Sequence, residues 1–590
     1  MSDDHDDLDR LQAALDRAAA RLSEEMNEHG FWEGELSPSA LGTATAVSAL
    51  CTAGPGRHRP LVERGCRWLA ADQNADGGWG DSPRSPSNLA TTMLVRAALQ
   101  LARPFCQQAL GAEKRADDYL TARAGTRAED RIQAVIGAYG ADRTFAAPIL
   151  MNGALAGLVD WAAVPGLPFE LSVFPNACFR FLRLHVVSYA LPALIAVGIL
   201  LHRRSPSRSP LRRFLRSWTE PAALRKLDAI QPGSGGFLEA IPLTSFVAMS
   251  LASAGHADHP VTGRCIDFVA RTARPDGSWP IDRNLSVWCT SNAAVALARA
   301  GKLEATGALR TMRWLARRQH ADPHPYTGSP AGGWAWTHLP GGVPDADDTA
   351  RAIRALELLG AATHLPRPVA RQLDAGVGWL IRLQNPDGGW PTFCRGRGRL
   401  PFDRSSPDLT AHALQALAAR RGRRTIDRAV RRGLRFIEAT QQPDGSWRPL
   451  WFGNQHAPEQ ANAVFGTAAV LGALADLGED PGARAGLGYL LSAQNPDGGW
   501  GGARGVASGT EETAAALSAL AACPDTEATD AAFRKGERYL LGRITSGDWT
   551  EPAPIGLYFS TLWYSERLYP IIWTVDALAM LIRRGRTAAR

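Results

Sequence analysis

The 590 residues hold only eight cysteines, far apart and with no C-x-x-C pair. Cys51, Cys66, Cys106, Cys178, Cys265, Cys289, Cys394 and Cys523 therefore offer neither a disulfide framework nor a zinc-ligand spacing, and read as buried thiols in a reducing compartment. The N-terminus, MSDDHDDLDR, lacks the apolar core of a signal peptide, so residence in the cytoplasm is expected. Strand-like alternation is almost absent, which points to an all-α fold. No apolar run reaches the roughly 20 residues that span a bilayer. The longest, Val186 to Leu201, has sixteen residues with Pro192 among them, and Arg203, Arg204, Arg208, Arg212, Arg213 and Arg216 follow at once. Such an apolar plug beside a basic rim predicts insertion into one membrane leaflet from the cytoplasmic side, as a peripheral, monotopic surface; the alternative is a buried helix. A net charge of +7 is modest for this length, and no nucleic-acid partner is expected.

What is present is repetition. The turn QNADGGW at 73 returns as ARPDGSW at 273, QNPDGGW at 384, QQPDGSW at 441 and QNPDGGW at 494, with looser copies ending at Trp334 and Trp549. Helix-like segments such as RGCRWLAADQ and AGVGWLIRLQ precede it, and small apolar segments such as TSNAAVALARAG and GTAAVLGALADLG follow it. The last four tryptophans of these turns, 390, 447, 500 and 549, fall about 50 to 57 residues apart, room for two helices and their loops. The charge-poor helices fit an inner ring and the Arg- and Glu-bearing ones an outer ring, closing into α/α barrels. The repeats thin between about 80 and 230. Two barrels are expected, over 31–269 and 270–590, with residues 1–30 an N-terminal helix that could pack on either; a homodimer is compatible with this plan.

One inner helix starts oddly. In GGVPDADDTARAIRALEL, Asp345, Asp347 and Asp348 crowd the entry to an apolar-patterned run, where a helix needs one capping acid. The cluster could be a decorated N-cap, a Mg²⁺ site, or a general acid whose crowded, desolvated carboxyls keep a proton at neutral pH. His412 in SSPDLTAHALQAL favours the third reading: it lies on the next inner helix, with Asp408 four residues earlier on the same face, where an imidazolium could hold one carboxyl. Trp336, Phe393, Trp451, Tyr558 and Tyr564 sit at loop-to-helix junctions that would face a cavity. Their ring faces could stabilise a cation by about 0.5 to 2 kcal/mol each where water is excluded.

These residues resemble a family. The PDGGW turns resemble the QW repeats of bacterial squalene-hopene cyclases, which are class II terpene cyclases; PDADDTA resembles their D-x-D-D-T-A acid motif, DLTAH the segment with their acid-anchoring histidine, and GFWEGEL their N-terminal repeat entry. The resemblance spans nearly the whole chain. It implies two α-barrel domains with a cavity between them, monotopic attachment, and cyclisation of squalene to a polycyclic triterpene, hopene- or hopanol-like, without metal or other cofactor. Carried over by position, Asp347 would donate the proton, Asp345 and Asp348 assist, His412 activate and Asp408 support it, while Trp336, Phe393, Trp451 and Trp288 would stabilise cations. There are departures: Thr43 and Leu94 stand near where hopene formers carry glutamates, Ile241-Pro242 replaces Gln-Pro, Cys289 follows Trp288 where an Asp is usual, and Phe465 replaces a Tyr near the acid's water. The initiation end therefore matches better than the termination end. Rival readings are a class II cyclase for a shorter or aryl-linked polyprenyl, and an inactive lipid-binding barrel. A protein prenyltransferase subunit would share the barrel, but its zinc-ligand spacing is missing.

Overall fold

A computed structural model describes residues 2–54, 56–106, 110–139, 143–182, 187–325, 327–523, 526–558 and 562–588. Its unit is an outer helix, a turn and an inner helix, tied together by three side chains of the repeat. At 384–390 the turn needs Gly388 at φ 98°, where a Cβ would stand 2.4 Å from the Arg432 carbonyl oxygen. Gln384 Nε2 then donates to the Gly388 carbonyl (2.7 Å) and to Ala429 on the next outer helix (2.9 Å). The Trp390 ring is fully buried and its indole N–H donates to the Leu380 carbonyl in the preceding outer helix at 2.8 Å. Trp79, Trp279, Trp447 and Trp500 repeat that bond at the same distance.

The third tie was not anticipated. The backbone N–H of six repeat tryptophans donates to a threonine hydroxyl near the start of an inner helix: Trp79 to Thr92, Trp279 to Thr43, Trp334 to Thr349, Trp390 to Thr410, Trp447 to Thr467 and Trp500 to Thr513, all at 2.9 to 3.1 Å. Six inner helices, those carrying Thr43, Thr92, Thr349, Thr410, Thr467 and Thr513, are thereby held in register with a repeat turn.

The first ring has inner helices α2 (Ala40–Ala53), α4 (Leu89–Ala102), α7 (Arg143–Leu155), α9 (Val187–Arg204) and α11 (Ile241–Leu251), each against the next and α11 back against α2. Around it lie α3 (Arg59–Ala71), α5 (Leu110–Ala124), α6 (Ala128–Tyr139), α8 (Asn176–Phe181), α10 (Pro210–Ile230) and α12 (Pro260–Arg271). The second ring closes through α13 (Ser286–Ala300), α15 (Ala346–Thr363), α17 (Pro407–Ala418), α19 (Ala463–Leu477), α21 (Thr510–Ala521) and α23 (Tyr569–Ala588). Its outer helices are α14 (Ala305–Ala316), α16 (Arg367–Leu383), α18 (Arg424–Thr440), α20 (Ala483–Ala493), α22 (Glu527–Ser546) and, from the other end of the chain, α1 (Ser2–Glu24), which packs on α23 and α13. Residues 31–36 also join this ring: Trp32 donates its indole N–H to Leu22 (2.7 Å) and its amide to Thr290 (3.0 Å). Conversely, the Trp279 turn closes the first ring through Thr43, so the first ring is inserted within the second. Two short hairpins, β1 (Trp390–Pro391) with β2 (Ser405–Ser406) and β3 (Gly556–Tyr558) with β4 (Leu562–Tyr564), lie among the second ring's loops.

The apolar run requires a correction. Val186 lies outside the described residues, but from Val187 onward the run is α9, an inner-ring helix with most side chains buried between α7 and α11, although among the described residues it is the one helix long and apolar enough to cross a membrane. Its basic rim is partly internal, since Arg216 is buried against Glu170 (2.9 Å), while Arg203 is exposed and pairs with Glu220 (2.6 Å). The exposed apolar side chains lie next door, with Leu211, Phe214 and Trp218 on one stripe of α10, each 67 to 73% exposed, and Phe174, Phe181 and Leu182 before α9.

Because Thr43→Val keeps the volume but leaves the buried Trp279 N–H without an acceptor, it should destabilise the protein by about 1 to 3 kcal/mol, read as an earlier urea midpoint in tryptophan fluorescence.

Candidate active site

Asp345 takes the N-cap of α15 in extended conformation (φ −136°, ψ 169°), its Oδ1 accepting the Asp348 amide at 2.8 Å. The backbone before and beside it is pinned as well: Asp345 N–H donates to the Trp334 carbonyl (3.0 Å), and Ala346 N–H to Thr392 beside β1 (2.8 Å). One acid thus caps the helix. Asp347 and Asp348 follow in its first turn, and Thr349 is the threonine tied to Trp334. All three carboxyls are buried.

Burial pushes the Asp345 carboxyl up to about 8; its bonds to Asp348 oppose this and the charge of Asp347 adds to it. Asp348 is also pushed well up, first by burial and then by Asp345. The helix dipole, worth at most about 2 kcal/mol, does not restore their charge. The pair therefore holds protons at neutral pH.

Asp347 is placed differently. Its Oδ1 is hydrogen-bonded to His412 Nδ1 across the α15–α17 contact. One turn beyond Asp347, the buried Arg351 guanidinium donates to His412 Nε2 at 2.7 Å. A guanidinium can only donate, so Nε2 must offer its lone pair, and the ring's single N–H is Nδ1–H, aimed at Asp347. The imidazolium read from the sequence is thus replaced by a neutral imidazole with a guanidinium behind it. Asp408 spends its hydrogen bonds elsewhere than on His412: it accepts from the Ser406 hydroxyl and, at 3.0 Å, from the Leu450 amide, fixing the loop before Trp451, and acts on His412 through charge alone.

The three aspartates open into a pocket of about 90 Å³ that is also lined by Trp288, Trp336, Phe393, Trp451, Tyr558 and Tyr564. Every aromatic read from the sequence as cavity-facing except Phe465 is here. Phe465 stacks on Phe452 (4.1 Å between centroids) and, with Trp288 and His412, lines a separate cavity inside the second ring. Trp336 donates its indole N–H to Asp282 (3.0 Å), Trp451 to Thr392 (2.9 Å), and the Tyr564 and Tyr569 hydroxyls meet at 3.0 Å. Tyr558, on β3, also lines an apolar chamber of about 210 Å³ walled by α9 and α11 of the first ring and by Leu400, Phe402 and Leu562 of the second. The apolar face of α9 therefore lines this chamber between the rings.

Arg351, Asp282, Tyr569 and Glu566 did not emerge from the sequence. Arg351 had a signal, its i+4 spacing from Asp347 on one helix face; Asp282 and Glu566 had none, because loops bring them in from far along the chain. Glu566 stands beside Cys289, where burial first and then the Glu566 charge hold the thiol protonated, so a carboxyl lies near the position where an Asp is usual.

With this geometry the comparisons with known proteins agree. The profile of the squalene-hopene cyclase C-terminal domain matches residues 285–583 and that of the N-terminal domain residues 15–217. The chain belongs to the squalene-hopene cyclase family. Among individual family members, squalene–hopene cyclase from Alicyclobacillus acidocaldarius is 26% identical over 79% of this chain and 78% of its own length. Drimenyl diphosphate synthase from Streptomyces showdoensis is 32% identical over 50% of this chain and 51% of its own. Enfumafungin synthase efuA from Hormonema carpetanum is 27% identical over 86% of this chain, which spans only 44% of that longer protein. The crystal fold of ent-copalyl diphosphate synthase from Streptomyces platensis overlays 97% of this chain and 99% of its own, with a TM-score of 0.57 at 18% identity, a likeness of fold.

In ¹⁵N NMR of ring-labelled histidine, assigned by loss of the signal in His412→Gln, His412 should show a protonated Nδ1 and a bare Nε2, and Arg351→Met should abolish that pattern. A doubly protonated ring in the unaltered protein would contradict the assigned bond.

Proposed function

We propose that this family member cyclises a linear polyprenyl by protonating its terminal double bond from Asp347. The observation that carries the reading is the buried acid cluster opening into a pocket walled by aromatic faces, one of which, Tyr558, also lines an apolar chamber. The first step starts from the form of the site in which Asp347 carries a proton: the alkene π electrons take that proton, leaving a carboxylate and a tertiary carbocation. His412 Nδ1–H and the Arg351 charge behind it stabilise that carboxylate, and Asp345 and Asp348, kept neutral by burial, add no opposing charge. The next double bond then attacks the cation, closing a ring while the Trp288, Trp336, Phe393 and Trp451 faces offset the charge at each stage.

For the substrate we propose squalene, supported by the squalene–hopene cyclase relatives and the apolar lining of the chamber. A second reading, a shorter polyprenyl bearing a polar head, is favoured by the drimenyl diphosphate synthases. We further propose that the enzyme docks on one membrane leaflet, cytoplasmic face, through Leu211, Phe214 and Trp218 of α10 with Arg208, Arg212 and Arg213 beside them. This moves the docking surface from the apolar run to its neighbour.

Asp347→Asn should lower cyclisation of squalene, geranylgeraniol or farnesyl diphosphate by about 10²-fold or more without shifting the melting temperature, as followed by mass spectrometry; near-normal turnover would refute the assignment. The rate of the unaltered enzyme should fall as pH rises through about 8, because ionised Asp345 then sets a negative charge beside the carboxylate that proton transfer must form. Sedimentation with vesicles containing anionic lipid should be strong for the unaltered protein and lost in Phe214→Asp/Trp218→Asp.

A further inference from the structure

One carboxyl beside the cavity has no part in the chemistry above. Asp282 lies in the loop after the Trp279 turn, its backbone paired with Ala240 before α11. Its side chain is 0% exposed. Oδ2 accepts two hydrogen bonds, from the Tyr558 hydroxyl (2.7 Å) and the Trp336 indole N–H (3.0 Å). Oδ1 is buried with no hydrogen-bond partner, and among the described residues no Lys, Arg or His pairs with this carboxyl. The nearby guanidinium, Arg283, lies 3.8 Å from a second buried carboxyl, Glu239. Burial pushes Asp282 up to about 7, against the pull of the Tyr558 bond and with the push of Glu239.

An acid with an open oxygen in a dry wall is costly unless something offsets it. Both of its donors are cavity rings. Trp336 and Tyr558 line the pocket that holds the three aspartates, and Tyr558 also lines the apolar chamber. A carboxylate that accepts an N–H or O–H bond from an aromatic ring makes that ring richer in electrons, and its own field is little screened where water is excluded. Positive charge on a substrate is therefore held most strongly at the junction of pocket and chamber, close to the acid that starts the reaction.

Resting on the cyclase reading above, we propose that Asp282, acting through Trp336 and Tyr558, is a positioning residue that halts the carbocation at this junction, so that one or two rings close beside the acid and the remaining tail stays linear in the chamber. There the cation loses a proton from an adjoining carbon, the electrons of that C–H bond become the product's double bond, and the proton goes to the Asp347 carboxylate that the first step left, which lines the same pocket. The substrate class implied is a polyprenyl whose far end is left uncyclised.

The test compares the unaltered enzyme with Asp282→Asn and with Trp336→Phe, which keeps a ring but removes the bond to Asp282. Squalene and geranylgeraniol products are scored for ring count by mass spectrometry and NMR. Calorimetry measures binding of N,N-dimethylfarnesylamine, cationic at neutral pH, against farnesol, its neutral counterpart. Products of one or two rings are expected from the unaltered enzyme, with a shift to other ring counts in Asp282→Asn and a smaller one in Trp336→Phe. Amine binding should weaken about tenfold in Asp282→Asn while farnesol binding is unchanged. Four or five rings from the unaltered enzyme would overturn the proposal, as would an Asp282→Asn enzyme with unaltered ring count and unaltered amine-to-alcohol preference. If nothing is cyclised by the unaltered protein, the cyclase reading fails, and the amine-to-alcohol preference alone decides whether Asp282 holds a cation.

Discussion

The bond from a tryptophan amide to a threonine hydroxyl sets the position of everything else. It is repeated, it spans 13 to 20 residues in every case but Trp279 to Thr43, which closes the first ring, and it locks the first turns of α2, α4, α15, α17, α19 and α21 to repeat turns. Residues two places before the bonded threonine then recur around the second ring: Trp288 before Thr290, Asp347 before Thr349, Asp408 before Thr410, Phe465 before Thr467 and Glu511 before Thr513. An aromatic, an acid or a loop-anchoring carboxyl can occupy that place without disturbing the barrel, because the hydroxyl and not the variable side chain carries the register. Chemistry is thus grafted onto a structural repeat.

Electrostatics divides the acid cluster by role. Asp345 and Asp348 share a desolvated space and hold protons, whereas Asp347 is set against a neutral imidazole backed by a guanidinium. An imidazolium in that place would lose its charge at moderately high pH; a guanidinium does not. Burial lowers the Arg351 guanidinium to about 10, so the cation behind the imidazole is retained at neutral pH, and the imidazole serves as an oriented donor between it and Asp347.

Much of this was legible along the chain. The PDGGW turns, the alternating helix types, the acid run and the histidine on the next stave all follow from spacing within one or two helices. The aromatics were legible too, since Trp336, Phe393 and Trp451 each stand just past a turn and the structure brings them to one pocket. The apolar run misled because an inner-ring helix buried on all sides and a leaflet-embedded segment need the same composition; α9 is surrounded by protein and cavity, and only contacts could say so. The exposed apolar stripe of α10 is hidden for the opposite reason, being a few apolar residues among many polar ones.

The sequence by itself determined the helical repeat, the presence of a capped acid cluster and the family, because each depends on residues close together along the chain. Tertiary structure alone decided that the first ring is inserted in the second, that Arg351 rather than Asp408 holds His412, and that Asp282 lies behind Trp336 and Tyr558. Those pairings join residues brought together by ring closure and by loops, and a bond between side chains distant in sequence leaves no spacing to read.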